Sequence, residues 1–151
     1  MDVRTWERAC EQTAEAHAAI LRSLHRLEEA LLAPGSSPHE WSDQVQRELL
    51  VLIDRLENHY KAVASPAGLI GFIEQLQGHS RAVSEIKKTH DTLLDDGQSL
   101  LRVLSSATEP ERAYSPFRRD TAHFAAAVRK HEAQESALIY ETNARVNGGE
   151  G

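Results

Sequence analysis

The sequence predicts an all-α protein, an antiparallel up-and-down four-helix bundle, on three observations. Apolar residues recur at helical rather than strand spacing. Proline and glycine are confined to a few places, which cut the chain into four long segments. The first and third connections are short, and short connections make neighbouring helices of a bundle antiparallel. A chain of 151 residues can bury one real core, so residues 1–151 are read as one domain. It shows no repeat, no low-complexity tract and no heptad pattern long enough for a free coiled coil.

Helix one is expected from about Arg4 to Ala33, with Cys10, Ala14, His17, Leu21, Leu24 and Leu31 on one stripe, and it stops at APGSS. Ser37, Pro38 and Glu40 then supply an N-cap, a first-turn proline and a capping-box glutamate for helix two. Its stripe is Trp41, Val45, Leu49, Leu52, Leu56, His59 and Val63. Pro66, Gly68, Gly71 and Gly78 make the next connection irregular, with a short helical piece through IGFIEQL. Helix three is placed from about Ser80 to Ser105, with Val83, Ile86, His90, Leu93, Leu100 and Leu104 inward. Gly97 is a candidate kink, because glycine is a weak helix former. The linker SSATEPERAYSP offers caps at Thr108 and Ser115, each closely followed by proline. Helix four carries Phe117, Thr121, Phe124, Val128, His131, Glu135 and Leu138 on one stripe and frays in ETNARVNGGEG. Trp6 and Trp41 read as packing residues near one bundle end.

Composition removes several classes of function. A formal charge of −6 with scattered signs provides no basic face for nucleic acid, and charge alone implies no partner. No apolar run approaches the length of a membrane span. The stretch MDVRTWERACEQ is charged where a signal peptide would carry its apolar core, and Cys10 is the one cysteine, so a cytoplasmic, soluble protein is expected. Cys10 itself reads as a small core hydrophobe rather than a redox group.

Eight histidines are about twice what this length would ordinarily carry. His25, His39 and His123 have polar or capping neighbours and read as solvated. His17, His59, His90 and His131 each fall on the core-facing stripe of a different helix. Height along the bundle supports their meeting, since a helix rises about 1.5 Å per residue. About fifteen residues separate His90 from the end of helix three, and about fifteen separate Pro116 from His131. The first hairpin agrees less well, with about sixteen residues from His17 to Ala33 and about twenty-one from Pro38 to His59. His79, flanked by Leu76 and Val83, is displaced from the layer by about 16 Å and is read as a loop or helix-start residue.

A lone inward histidine is ordinarily a core residue with a local hydrogen bond. Four converging imidazoles satisfy one another poorly, and a metal ion solves that problem. Glu135, one turn after His131 on the same face, brings a carboxylate to the layer. Its alternative is an ion pair with Arg129 or Lys130.

From about Ala14 to Gly149 these features resemble the hemerythrin-like (HHE) domains, four-helix bundles that hold a non-haem di-iron centre. The match runs through His17 in EAHAAILRSL, His59-Tyr60 in LENHYKAVA, AGLIGFIEQL, Ile86 to His90 in IKKTHDTLL, and His131 with Glu135 in HEAQESALIYE. The tail NARVNGGEG is similar to the glycine-rich, acidic end of bacterial members, with Asn147 where an aspartate is frequent. The resemblance implies a protein that holds non-haem iron through His17, His59, His90, His131 and Glu135. It further implies binding of dioxygen, nitric oxide or peroxide for carriage, sensing or detoxification.

The departure lies in helix two. Four residues after His59 the family pattern has a carboxylate, and here stands Val63, followed by Ala64; neither binds iron. Three outcomes follow: Tyr60 turns inward and supplies a phenolate, one metal is held by some of the histidines and Glu135, or the site is empty. Tyr60 is about 100° around the helix from His59, which disfavours the first. Two ions are expected if the family site is intact, and one or none if the loss at Val63 is decisive. The rival reading is a metal-free bundle serving as an interaction or regulatory module. An enzyme would need a proton donor near an open metal position, and Tyr60 is the one candidate.

Overall fold

A computed structural model describes residues 2–33, 37–77, 80–106 and 110–148. Its elements are α1 (Val3–Leu32), α2 (Pro38–Ala64), α3 (Leu69–Gln77), α4 (Arg81–Ser106) and α5 (Pro110–Gly148), with no strand among the described residues. The four long helices form a helical bundle in which α1 packs on α2, α4 on α5 and α2 on α4, while short α3 touches all four. No described helix is long and apolar enough to cross a membrane.

Helix starts follow local chemistry. The Asp2 carboxylate accepts from the Thr5 amide at 2.7 Å, and Ser37 Oγ accepts from the Glu40 amide at 3.2 Å with Pro38 in the first turn. Ser80 Oγ accepts from the Val83 amide at 3.2 Å and opens α4. The expected cap at Ser115 is not used: α5 begins at Pro110 and runs through Pro116. The missing amide costs nothing at the first position, and the helix bears the loss at Pro116 close to its start. Phe117 anchors that turn, 2% exposed and edge-on to Trp41 with ring centroids 6.1 Å apart. The expected stop at 34–36, Gly78, His79, the cap at Thr108 and the side chain of Asn147 lie outside the described residues.

The expected stripes of α2, α4 and α5 are all buried. That of α1 is displaced. Leu21 is 43% exposed and Ala14 is exposed, while Trp6, Ala9, Thr13, Ile20, Leu24, Leu27 and Leu31 face inward. Alanine occurs on several faces of α1, so its sequence marks no sharp apolar column and packing selects one. Cys10 is partly buried against the core, and burial, with Glu7 nearby, pushes its thiol pKa up, away from a reactive thiolate.

The core has two apolar clusters. One holds Ile20, Leu24, Leu56, Leu93, Phe124 and Val128, and the other holds Trp6, Ala9, Val63, Ile70, Ile86 and Leu138. The two tryptophans therefore do not share a bundle end. Trp41 sits in the first cluster, its Nε1 donating to the Leu31 carbonyl at 3.3 Å; Trp6 sits in the second, its Nε1 donating to Asn143 Oδ1 at 3.0 Å. The start of α2 lies beside the end of α1, not beside its start.

Two glycine sites are set by close approach. Gly97 does not break α4; a Cβ there would lie 3.1 Å from Ile53 Cγ1 and 3.3 Å from Phe124 Cζ, so glycine lets three helices close up. At the α2–α3 corner a Cβ on Gly71 would lie 1.9 Å from the Ser65 carbonyl oxygen. Backbone cannot swing away as a side chain can. Gly71→Ala is expected to cost about 1–3 kcal/mol by chemical denaturation; an unchanged midpoint would show that the corner relaxes freely.

Candidate metal centre

In each long helix the core changes from one apolar cluster to the other at a polar residue. On α1 it is His17, between Ala9 and Ile20; on α2 His59, between Leu56 and Val63. On α4 it is His90, between Ile86 and Leu93; on α5 His131 and Glu135, between Val128 and Leu138. Helical spacing thus delivers four imidazoles and a carboxylate to one polar layer capped by hydrocarbon on both sides. The ring centroids of His17 and His59 are 4.9 Å apart, and those of His90 and His131 4.7 Å, both pairs edge-to-face. The unequal arms of the first hairpin do not prevent the meeting, because Leu31 lies against Trp41 rather than Pro38.

Glu135 is fully buried and joins all four. Its Oε1 lies 3.1 Å from His17 Nε2 and 2.7 Å from His59 Nε2. Its Oε2 lies 3.3 Å from His90 Nε2 and 3.1 Å from His131 Nε2. Without an ion, four Nε2–H groups donate to one carboxylate, two to each oxygen. Burial would raise the Glu135 pKa, but the hydrogen bonds from His131, His17, His59 and His90 outweigh it and hold the carboxyl far below the usual range. The alternative ion pair is not made: Arg129 bonds Glu28, and Lys130 is exposed while Glu135 is fully buried.

Burial lowers the His90 pKa, and the Glu135 hydrogen bond opposes this only in part. His17, at the rim with 13% of its side chain exposed, goes the other way: burial is outweighed by the Glu135 hydrogen bond and by the charges of Glu132 and Glu135. His25 and His123 are exposed, as expected from their neighbours, and so is His39.

Tyr60 does turn inward. Its ring is 3% exposed and stacks on His90 with centroids 3.9 Å apart and planes 5° apart. A 100° step still falls within the buried surface of α2, because that helix packs on α1, α4 and α5 and so buries adjacent positions, Leu52 with Ile53 and His59 with Tyr60. The Tyr60 hydroxyl has no hydrogen-bond partner among the described residues. Burial, then the charges of Glu132 and Glu135, raises its pKa, so the phenol keeps its proton in the metal-free protein.

Glu132 lies off the expected inward stripe of α5, yet it is buried. It is 5% exposed, with Oε2 3.1 Å from His17 Nε2. His17 Nε2 carries a single hydrogen and directs it at Glu135, so neither Glu132 oxygen receives a hydrogen bond. Burial pushes its carboxyl up to about 7, against the pull of His17 and with the push of Glu135. The available signal was spacing: three residues from Glu135, it is that residue's neighbour on the helix surface.

The donors fall into two triads that share Glu135: His17, His59, Glu135 and His90, His131, Glu135, each with its ligand atoms within 4.8 Å of one another. Two ligands at right angles, each about 2.1 Å from a common ion, lie about 3.0 Å apart. The four observed N···O separations, 2.7–3.3 Å, bracket that value. Two imidazoles and one carboxylate with positions left open suit non-haem iron. The residues present therefore fit a pair of ions.

No protein-family model matches this chain, and neither a curated protein nor a solved structure gives a match.

Proposed function

We propose that this layer would hold two non-haem iron ions, with His17 and His59, His90 and His131, and the Glu135 common to both triads as the residues that hold them. The protein would use them to bind a small diatomic ligand or peroxide. The observation that carries the reading is the division of Glu135, each oxygen facing its own pair of imidazoles. The hemerythrin-like resemblance favours iron, and an antiparallel, up-and-down course of the long helices belongs to the same reading. Its support is that Leu31 meets Trp41 and His17 meets His59 between α1 and α2.

Bound iron supplies electrons and open coordination positions for dioxygen, nitric oxide or peroxide. The chain supplies the rest. The two apolar clusters exclude bulk water from both sides of the layer. Tyr60 stacks on His90 and restrains that ring, leaving its hydroxyl proton without an acceptor until a ligand arrives. The proposed entry is a groove of about 820 Å³ whose lining includes Ala16, Ala19, Asn58, His59, Ala62 and Val63 and so meets the layer at His59.

The rival, a metal-free interaction module, draws on Val63 and on the fact that four imidazole donors already satisfy Glu135. Elemental analysis and anaerobic ferrous titration separate the two. Two irons per chain with near-ultraviolet charge-transfer absorption are expected, and His131→Ala should lose at least one equivalent while helical circular dichroism is kept. Protein that takes up no iron and is not stabilised by it would leave the module.

A further inference from the structure

We propose that Glu132 is the second carboxylate of the metal layer, serving the His17–His59 half from α5 in place of the carboxylate that α2 lacks at Val63. The inference rests on the two-iron reading. A buried carboxylate is costly unless it is paired, hydrogen-bonded or bound to a metal. Glu132 is 5% exposed and neither oxygen has a hydrogen-bond partner among the described residues. Its nearest polar neighbour, His17 Nε2 at 3.1 Å, spends its hydrogen on Glu135. Thus the chain keeps a carboxylate out of water with no hydrogen bond and only the charge of His17 to offset the loss.

The position suits a ligand. The 3.1 Å from Glu132 Oε2 to His17 Nε2 repeats the 3.1 Å from Glu135 Oε1 to the same nitrogen, so the imidazole is flanked by two carboxylate oxygens; Glu132 stands just outside the two triads, and a side-chain rotation would carry it to an ion held by His17 and His59. Charge argues the same way. Four neutral imidazoles and one carboxylate leave a pair of ferrous ions strongly positive in an apolar surround, and Glu132 removes one unit of that charge. The two halves then differ: His17 and His59 share two carboxylates, His90 and His131 share one.

The test is anaerobic ferrous titration and thermal melting of the full chain and of Glu132→Gln. Gln keeps the shape and drops the charge. Metal-free Glu132→Gln should melt above metal-free wild type, because an amide costs less to bury, while one of its two iron equivalents binds at least about tenfold more weakly. A glutamate with only a structural role would not raise the melting point and weaken iron together. Glu132→Asp, with the charge kept on a shorter arm, should retain two equivalents with intermediate affinity. Wild-type binding in both variants would overturn the role of Glu132 and leave the two-iron reading standing. Failure of wild type to bind iron would overturn both. A Glu132→Gln chain that does not fold, judged by circular dichroism, would make the residue structural and overturn the proposal.

Discussion

Glu135→Ala is expected to abolish loading of both irons and to lower the stability of the metal-free protein by about 3–5 kcal/mol. The two effects share one cause. All four imidazole Nε2 atoms converge on its carboxylate, so removing it strands the buried donors of His59, His90 and His131, while His17 at the rim still has Glu132 at 3.1 Å. Each stranded buried donor costs about 1–3 kcal/mol, and water entering the new cavity offsets part of the total. Glu135→Gln separates the contributions. The amide keeps one oxygen for one pair of imidazoles and turns its NH₂ on the other, so stability should fall by less while the carboxylate common to the two triads is still lost. Urea unfolding followed by circular dichroism, with iron counted per chain, checks this. Two irons retained by Glu135→Ala would remove the carboxylate from the centre of the site.

The metal-free protein is expected to become less stable, by about 3 kcal/mol, as pH rises from 4.5 to about 7, and Glu132→Gln to erase that component. Burial raises the folded-state pKa of Glu132, so across this window the native state holds a proton that the unfolded chain has lost. Stability must then fall with rising pH. Other groups in the layer differ in sign or window. The raised pKa of His17 adds stability that is present at low pH and lost as pH climbs through its folded value; the lowered pKa of His90 does the opposite. The depressed pKa of Glu135 contributes stability present above the ordinary carboxylate range and lost only in stronger acid. Subtracting the Glu132→Gln profile from that of wild type isolates Glu132. A flat difference across the window would show that its carboxyl is solvated.

Gly97 shows how a local rule gives way to packing. As a weak helix former it reads as a kink, yet α4 passes through it unbroken, because Ile53 and Phe124 occupy the space a side chain would need. Ser115 shows the same at a helix end: a good cap before a proline is bypassed when α5 starts a turn and a half earlier.

Spacing along the chain is enough for the helical fold class, the apolar faces of α2, α4 and α5, and the helix positions of His17, His59, His90, His131 and Glu135, because residues three and four apart on one helix share a face whatever surrounds it. Tertiary structure alone decided the inward column of alanine-rich α1, the stacking of Tyr60 on His90, and the burial of Glu132 beside His17. It also decided that Glu135 turns one oxygen to each pair of imidazoles. Those outcomes depend on which helices close around a given side chain, and periodicity along a single helix carries no information about its neighbours.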